Sequence, residues 1–144
     1  MALHQQVIEQ TKPHVLVVDD EIEIREMLSL CLQKWGFNVS TVENAKSAHE
    51  LLEFGIYHAI VTDVMMPGED GISFLGRVHK TWPDIPVILM TGHAQRQMAA
   101  NAIKNGAFDF VYKPFDFDHL RKIVERAVNY TRLQQMDRNP SQNP

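Results

Sequence analysis

Four short apolar runs, each followed by a polar residue with reactive chemistry, constrain the fold of this chain most strongly. The runs VLVV, AIVT, VILM and FVY are followed by Asp19 and Asp20, by Asp63, by Thr91 and by Lys113. Runs in which nearly every position is apolar are typical of strands buried on both faces of a parallel sheet. The carboxyl ends of neighbouring parallel strands lie along one edge, so we expect these five residues to share one crevice.

Stretches with apolar residues at helical spacing separate the strand-like runs. Between Ile24 and Trp35 this spacing predicts a helix that Gly36 ends, and Asn44 predicts the N-cap of the next helix. Strict alternation of strands and helices predicts right-handed crossovers and an α/β fold of (βα)5 type with helices on both faces. The predicted strands are 14–18, 37–42, 57–62, 87–90 and 108–112, and the predicted helices are approximately 24–35, 44–54, 72–82, 95–105 and 117–133.

Two elements are predicted to be less buried than the others. The second strand is interrupted by polar residues, and the fourth helix has a thin apolar face of Met98, Ala102 and Ile103. We therefore expect the fourth helix to be the most mobile element.

The predicted domain organisation is a flexible tail at 1–12, one folded domain at 13–133 and a polar tail or linker start at 134–144.

Composition excludes several classes of protein. A chain of 144 residues with 44% hydrophobic and 22% charged residues is typical of one soluble domain. The formal charge of −4, with basic residues scattered along the chain, gives no footprint for direct contact with nucleic acid or an anionic membrane. We find neither a signal segment nor a run of about 20 apolar residues. Cys31 is the single cysteine, and we predict that it lies in the core. These features together predict a cytoplasmic protein.

The expected crevice carries too much negative charge to be stable alone. Asp19, Asp20 and Asp63 would repel one another unless a cation and the Lys113 ammonium offset them. All-oxygen ligands favour Mg²⁺, and the seven His show no zinc-like spacing with cysteine. A carboxylate beside two cations is a poor base but a usable nucleophile toward phosphorus, and Thr91 offers a hydroxyl for a phosphoryl oxygen. The pattern therefore indicates phosphoryl transfer to a carboxylate.

Each of these residues has an ordinary structural explanation when it is taken alone. Adjacent aspartates often cap helices, a threonine often stabilises a turn, and most lysines are solvated surface residues. Their joint placement after successive apolar runs of a single βα series is what favours a common site.

The segments VLVVDDE, TDVMMPGEDG, VILMTGHA and GAFDFVYKPF resemble the receiver domain of two-component response regulators over residues 13–133. The resemblance implies a flavodoxin-like doubly wound sheet of order 2-1-3-4-5. It implies that Asp63 is the phospho-acceptor, that Asp20 binds Mg²⁺ directly and Asp19 through water, and that Met65 contributes its backbone carbonyl. Asp63 completes this metal set.

The same resemblance assigns the remaining site residues. Thr91 and Lys113 would bind phosphoryl oxygens, Phe110 would be the switch aromatic coupled to Thr91, and the Lys113–Pro114 peptide bond would be cis. Phosphorylation would then shift the surface of helix 4, strand 5 and helix 5, which is also the surface that a homodimer would use. The implied partners are a sensor histidine kinase or phosphotransfer protein and an output partner or fused output domain.

Other positions bear on subgroup and phosphoryl lifetime. Met65 and His93 resemble positions that tune autodephosphorylation, and the apolar Met65 predicts a long-lived phosphoryl group. The segment GAFDF lacks the doubled Asp of the winged-helix transcription-factor subfamily, so the chain is more similar to receivers of the nitrogen-regulation or fixation type.

Two alternative functions stay open at the level of sequence. A phosphatase of the haloacid-dehalogenase kind also uses a nucleophilic Asp with Mg²⁺, but it needs Asp-x-Asp, and Asp63 is followed by Val64 and Met65. A degenerate, non-phosphorylated interaction module is disfavoured because every expected acceptor, metal and phosphate-binding residue is present. We therefore expect a signalling module whose only chemistry is its own phosphorylation and dephosphorylation.

Overall fold

The computed structural model describes residues 12–66 and 68–138, with the side chains of residues 93, 137 and 138 excepted. Strands and helices alternate through this part of the chain, as the sequence predicts. The strands are β1 (His14–Val18), β2 (Asn38–Val42), β3 (Ala59–Asp63), β4 (Val87–Thr91) and β5 (Asp109–Tyr112). The helices are α1 (Ile22–Lys34), α2 (Ala45–Phe54), α3 (Gly71–Thr81), α4 (Arg96–Lys104) and α5 (Phe117–Arg138), with a 3₁₀ turn at His93–Gln95.

The five strands form one parallel sheet of order β2-β1-β3-β4-β5, which confirms the predicted fold class. Val18 of β1 pairs with Thr62 of β3, and Asp63 of β3 pairs with Met90 of β4. The chain order reverses between β1 and β3, so the crevice beyond the carboxyl ends of these strands is the topological switch point of the sheet.

Two apolar clusters cover the two faces of the sheet. Alternate residues of β1 enter different clusters because side chains alternate along a strand: Leu16 and Val18 face one side, and Val15 and Val17 the other. The first cluster includes buried residues of α2, α3 and α4, and the second includes buried residues of α1 and α5. The central strands are therefore covered on both faces, which explains their nearly continuous apolar sequences.

Side-chain caps fix the starts of two helices. Asn44 is the N-cap of α2, as predicted, and its Oδ1 accepts a hydrogen bond from the Ser47 amide at 2.8 Å. Asp70 caps α3 in the same way, accepting from the Ser73 amide at 2.8 Å. These bonds satisfy amides that have no partner within the helix itself, and they set the residue at which each helix begins.

Most element bounds shift by one or two residues from the sequence predictions, and three larger differences stand out. Helix α5 continues to Arg138 rather than ending near residue 133, so part of the predicted polar tail is helical. The buried face of α4 consists of Ala99 and Ala102, whereas Met98 and Ile103, predicted to belong to it, are 39% and 38% exposed. Cys31, predicted to lie in the core, is only partly buried.

Several predictions fall on residues outside the described part. The predicted N-terminal tail lies there except for Lys12, as do residues 139–144 of the predicted C-terminal tail and the loop residue Pro67. Within the described ranges, no helix combines the length and the apolar character needed to cross a membrane.

Candidate functional site

The strand ends place the predicted site residues along one edge of the sheet. Asp19 follows β1 directly, Asp63 is the last residue of β3, Thr91 is the last residue of β4, and Lys113 follows β5. Since β1 and β3 are neighbours, residues 44 positions apart in the sequence reach the same crevice. The sequence prediction that these residues share an edge is therefore confirmed by the topology.

Lys113 connects the two buried carboxylates of this edge. Its Nζ donates to Oδ2 of Asp19 and to Oδ2 of Asp63, both at 3.0 Å. Asp19 is fully buried and Asp63 is 8% exposed, so each carboxylate needs a partner of opposite charge. Burial opposes the charge on Lys113, but hydrogen bonds and attraction from the two carboxylates outweigh it and raise the pKa of Lys113 above its ordinary value.

Asp63 has one oxygen held by the backbone and one by Lys113. The amide of Met65 donates to its Oδ1 at 3.1 Å, while Oδ2 accepts from the ammonium. Burial raises the pKa of Asp63 above its ordinary value, and the bonds from Lys113 and Met65 oppose this rise without cancelling it. A partly desolvated carboxylate held in a fixed orientation beside an ammonium suits nucleophilic attack on an electrophile that carries its own negative charge.

The acidic group at the end of β1 contains three residues. Carboxylate oxygens of Asp19, Asp20 and Glu21 all lie within 4.8 Å of one another, with Asp20 and Glu21 exposed. Both oxygens of Asp19 already accept hydrogen bonds, from the Glu21 amide at 2.8 Å and from Lys113. The donors are hard oxygens, which fits Mg²⁺, and the exposed Asp20 is better placed than Asp19 for direct contact with an ion.

Helix capping does not explain the adjacent aspartates. The N-cap of α1 is Glu21, whose own side chain makes no capping hydrogen bond. Asp19 instead accepts from the amide of the N-cap residue Glu21, and its contact with Lys113 joins it to the site.

The two residues assigned to the switch lie on the neighbouring strands. Thr91 is 1% exposed, and its Oγ1 donates to the carbonyl of Gly92 at 3.0 Å. Its own carbonyl accepts from the Lys113 amide at 2.9 Å, which continues the pairing of β4 and β5. Phe110 is partly buried against the first apolar cluster and makes an edge contact with Tyr112 at a centroid distance of 5.3 Å. Thr91 is thus at the sheet edge, and Phe110 lies further back on β5.

The remaining predicted positions surround this edge. Met65 is 54% exposed on the loop after Asp63, so solvent reaches its side chain. The Lys113–Pro114 peptide bond is cis, as expected. His93 begins the 3₁₀ turn after β4, and its side chain lies outside the described part.

Three residues near the site were missed by the sequence analysis. Glu21 joins the acidic group because it follows Asp20 directly, just after a bend in the chain. Arg25 reaches back along α1, and its Nη1 donates to the backbone carbonyl of Asp19 at 2.8 Å. Gly71 approaches the end of β3 so closely that a Cβ there would lie 2.9 Å from Cα of Val64. The sequence DDE could have drawn attention to Glu21, but no local sequence pattern reveals the contacts of Arg25 and Gly71.

Comparisons with known proteins agree on one family. Residues 15–125 match the model of the response regulator receiver domain. The chain is 38% identical over 125 residues to the DNA-binding transcriptional regulator NtrC of Escherichia coli strain K12, covering 87% of this chain and 27% of NtrC. It is 37% identical over 118 residues to the transcriptional regulatory protein FixJ of Bradyrhizobium diazoefficiens, covering 82% of this chain and 58% of FixJ.

Solved structures give the same result. A response regulator receiver domain protein from Clostridium thermocellum superposes with a TM-score of 0.80 at 29% identity, covering 85% of this chain and 98% of that one. NtrX from Brucella abortus gives 0.83 at 31% identity, covering 90% of this chain and 30% of that one. These relatives support the predicted nitrogen-regulation-like subgroup, and the chain spans only part of the regulators NtrC, FixJ and NtrX. The chain therefore belongs to the response regulator receiver domain family.

Proposed function

We propose that this receiver accepts a phosphoryl group on Asp63 from a phosphohistidine of a sensor histidine kinase or a phosphotransfer protein. The observation that carries this proposal is the contact of one ammonium, Lys113, with both Asp63 and the fully buried Asp19 at the switch point of the sheet. A structural ion pair would need only one carboxylate. A nucleophile beside an acidic group with a shared counter-charge is what phosphoryl transfer requires.

In the proposed reaction, an oxygen of Asp63 forms a bond to phosphorus while the phosphorus–nitrogen bond of the donor breaks. The electron pair of that bond leaves with the imidazole, which takes up a proton from solvent. The Met65 amide and Lys113 hold the carboxylate in place before the reaction. Lys113 and the Thr91 hydroxyl then bind oxygens of the transferred group.

A divalent ion fits the acidic group because its donors are all oxygens. Asp20, Asp63 and the backbone carbonyl of Met65 would hold Mg²⁺ directly, and Asp19 through water. When bound, Mg²⁺ offsets the negative charge that builds up on the phosphoryl oxygens.

The phosphorylated state would be transmitted through α4, β5 and α5. Movement of Thr91 toward the phosphoryl group would leave space for Phe110 to turn inward and would change this surface. The shallow contact of α4, which buries only Ala99 and Ala102, supports α4 as the element that responds. The surface would control an output partner or a fused output domain, directly or through a homodimer, in the cytoplasm.

Incubation with Mg²⁺ and acetyl phosphate, followed by intact mass measurement, tests this function. We expect the wild type to gain one phosphoryl group, Asp63→Asn to gain none, and a chelator to prevent the gain. Asp118→Asn is a matched control, since Asp118 is an exposed carboxylate in the first turn of α5. Repeated hydrolysis of phosphomonoesters would instead indicate a phosphatase, and no reaction with acetyl phosphate or a phosphohistidine donor would indicate an interaction module.

A further inference from the structure

We propose that Arg25 is a positioning residue that orients Asp20 for the divalent ion. This inference rests on the metal requirement of the proposed function. Its starting observation is the hydrogen bond from Arg25 Nη1 to the backbone carbonyl of Asp19 at 2.8 Å. A guanidinium donor makes this a charge-assisted bond, about twice as strong as a bond between neutral groups.

The contact acts on the peptide group that joins the two aspartates. The carbonyl of Asp19 and the amide of Asp20 belong to one rigid plane. A donor that holds this carbonyl therefore fixes the orientation of the peptide group before Asp20, and with it the direction of the backbone at Asp20. That direction limits the positions that the Asp20 carboxylate can reach through rotation of its own side chain.

The rest of Asp19 is held by other donors. The Glu21 amide and Lys113 occupy its two side-chain oxygens, and its own amide donates to the carbonyl of Val42 at 3.1 Å. Arg25 completes this set by holding the carbonyl. Asp19 thus becomes a rigid support, and the exposed Asp20 next to it remains available for an ion.

Helix α1 gives Arg25 a fixed base. The backbone amide of Arg25 donates to the carbonyl of Glu21 at 3.1 Å, so Arg25 lies in the first turn. Leu28 and Leu32 of the same helix are fully buried against the sheet. Side chains of helical residues point toward the N-terminus of the helix, which directs Arg25 back to the end of β1.

A purely electrostatic role for Arg25 predicts the opposite effect on the ion. A positive charge close to the site repels a divalent cation, so removal of that charge alone would strengthen Mg²⁺ binding. Loss of orientation would weaken it. The sign of the change in affinity therefore separates the two roles.

The test measures Mg²⁺ affinity by calorimetry in the absence of a phosphodonor. We expect Arg25→Gln to weaken binding about tenfold, the equivalent of roughly one charge-assisted hydrogen bond. Arg25→Lys keeps the charge but lacks the planar fork of donors, and we expect it to weaken binding as well. Lys34→Gln, the same charge change at the other end of α1, should leave affinity within about twofold, because the charge there is screened from the site.

A second readout is the rate of phosphorylation by acetyl phosphate as a function of Mg²⁺ concentration. A positioning role shifts the half-saturating concentration upward and leaves the rate at saturation nearly unchanged, whereas a general folding defect lowers the rate at every concentration.

Unchanged or tighter Mg²⁺ binding in Arg25→Gln would overturn the role of Arg25. A wild type that binds no Mg²⁺ would overturn this role together with the metal site. If the wild type binds Mg²⁺ but is not phosphorylated, the proposed function fails, and the affinities of the variants still decide the role of Arg25.

Discussion

Gly71 should be essential for the position of Asp63, and Gly71→Ala tests this directly. Gly71 begins α3, and its amide donates to the carbonyl of Val64 at 2.8 Å. A Cβ at this position would lie 2.9 Å from Cα of Val64 and 3.1 Å from the carbonyl carbon of Asp63. All these neighbouring atoms belong to the backbone, so rotation of a side chain cannot relieve the contact. The start of α3 must therefore move away from the end of β3.

The expected cost follows from two contributions. Overpacking of this kind costs about 1–3 kcal/mol, and loss of the bond from Gly71 to Val64 costs about 0.5–1.5 kcal/mol. The reduced flexibility of alanine in the unfolded chain returns about 0.4–1 kcal/mol. We expect a net loss of about 2 kcal/mol in the free energy of unfolding, together with slower phosphorylation, because Asp63 and Val64 are the residues displaced.

Gly76→Ala is a matched control on the same helix. Gly76 is exposed within α3, and a Cβ there would meet no atom within 4 Å. Alanine is the better helix former, so we expect Gly76→Ala to stabilise the protein by about 0.5–1 kcal/mol. Urea unfolding of both variants, followed by circular dichroism, measures the difference. Equal stability of Gly71→Ala and Gly76→Ala would show that the close approach of Gly71 to the end of β3 carries no energetic cost.

Three further predictions concern other parts of the molecule. Met65→Asn places a polar group beside the acceptor and should shorten the lifetime of the phosphoryl group, measured by mass after donor removal; an unchanged half-life would contradict it. Asn44→Ala should cost about 1 kcal/mol in urea unfolding, whereas Asn44→Asp, which keeps an acceptor for the Ser47 amide, should cost much less; equal losses would argue against the cap. Burial lowers the pKa of both His14 and His58 in the folded protein. Below the ordinary histidine pKa of about 6.5, the unfolded chain therefore binds more protons than the folded protein. The free energy of unfolding should consequently fall as the pH drops through this range. His58→Asn keeps an acceptor for the His14 amide and should flatten this dependence between pH 5 and 7; an equally steep dependence would contradict the assignment.

The strands, the helix starts and the shared edge of the site could be predicted from the sequence where several local sequence patterns agree. The apolar runs before Asp63 and Thr91 are buried at every position because α-helices cover both faces of the sheet. Asn44 marks its helix start because a capping bond is a local interaction. The common edge of Asp19, Asp63 and Lys113 follows from these strand assignments, since parallel strands align their carboxyl ends.

Other features depend on how the elements pack together, or are not marked by any distinct sequence pattern. The bond from Arg25 to the Asp19 carbonyl involves a backbone group, which every residue type provides. The approach of Gly71 to β3 depends on the angle at which α3 leaves the sheet. Helix α5 passes residue 133 because Gln134, Gln135 and Met136 are good helix formers that need no buried face to continue it. On α4, alanine rather than Met98 or Ile103 faces the sheet, so the larger side chains remain partly exposed.

Asp63 is the residue proposed to carry the phosphoryl group, and its identity as the acceptor can be measured directly. Borohydride reduces an aspartyl phosphate to homoserine, so reduction after treatment with Mg²⁺ and acetyl phosphate, followed by peptide mass mapping, identifies the acceptor. We expect homoserine at position 63 alone, at a yield that follows the phosphorylated fraction. Homoserine at Asp19 or Asp20, reduced Glu21, or a phosphorylated protein with an unmodified Asp63 would contradict it.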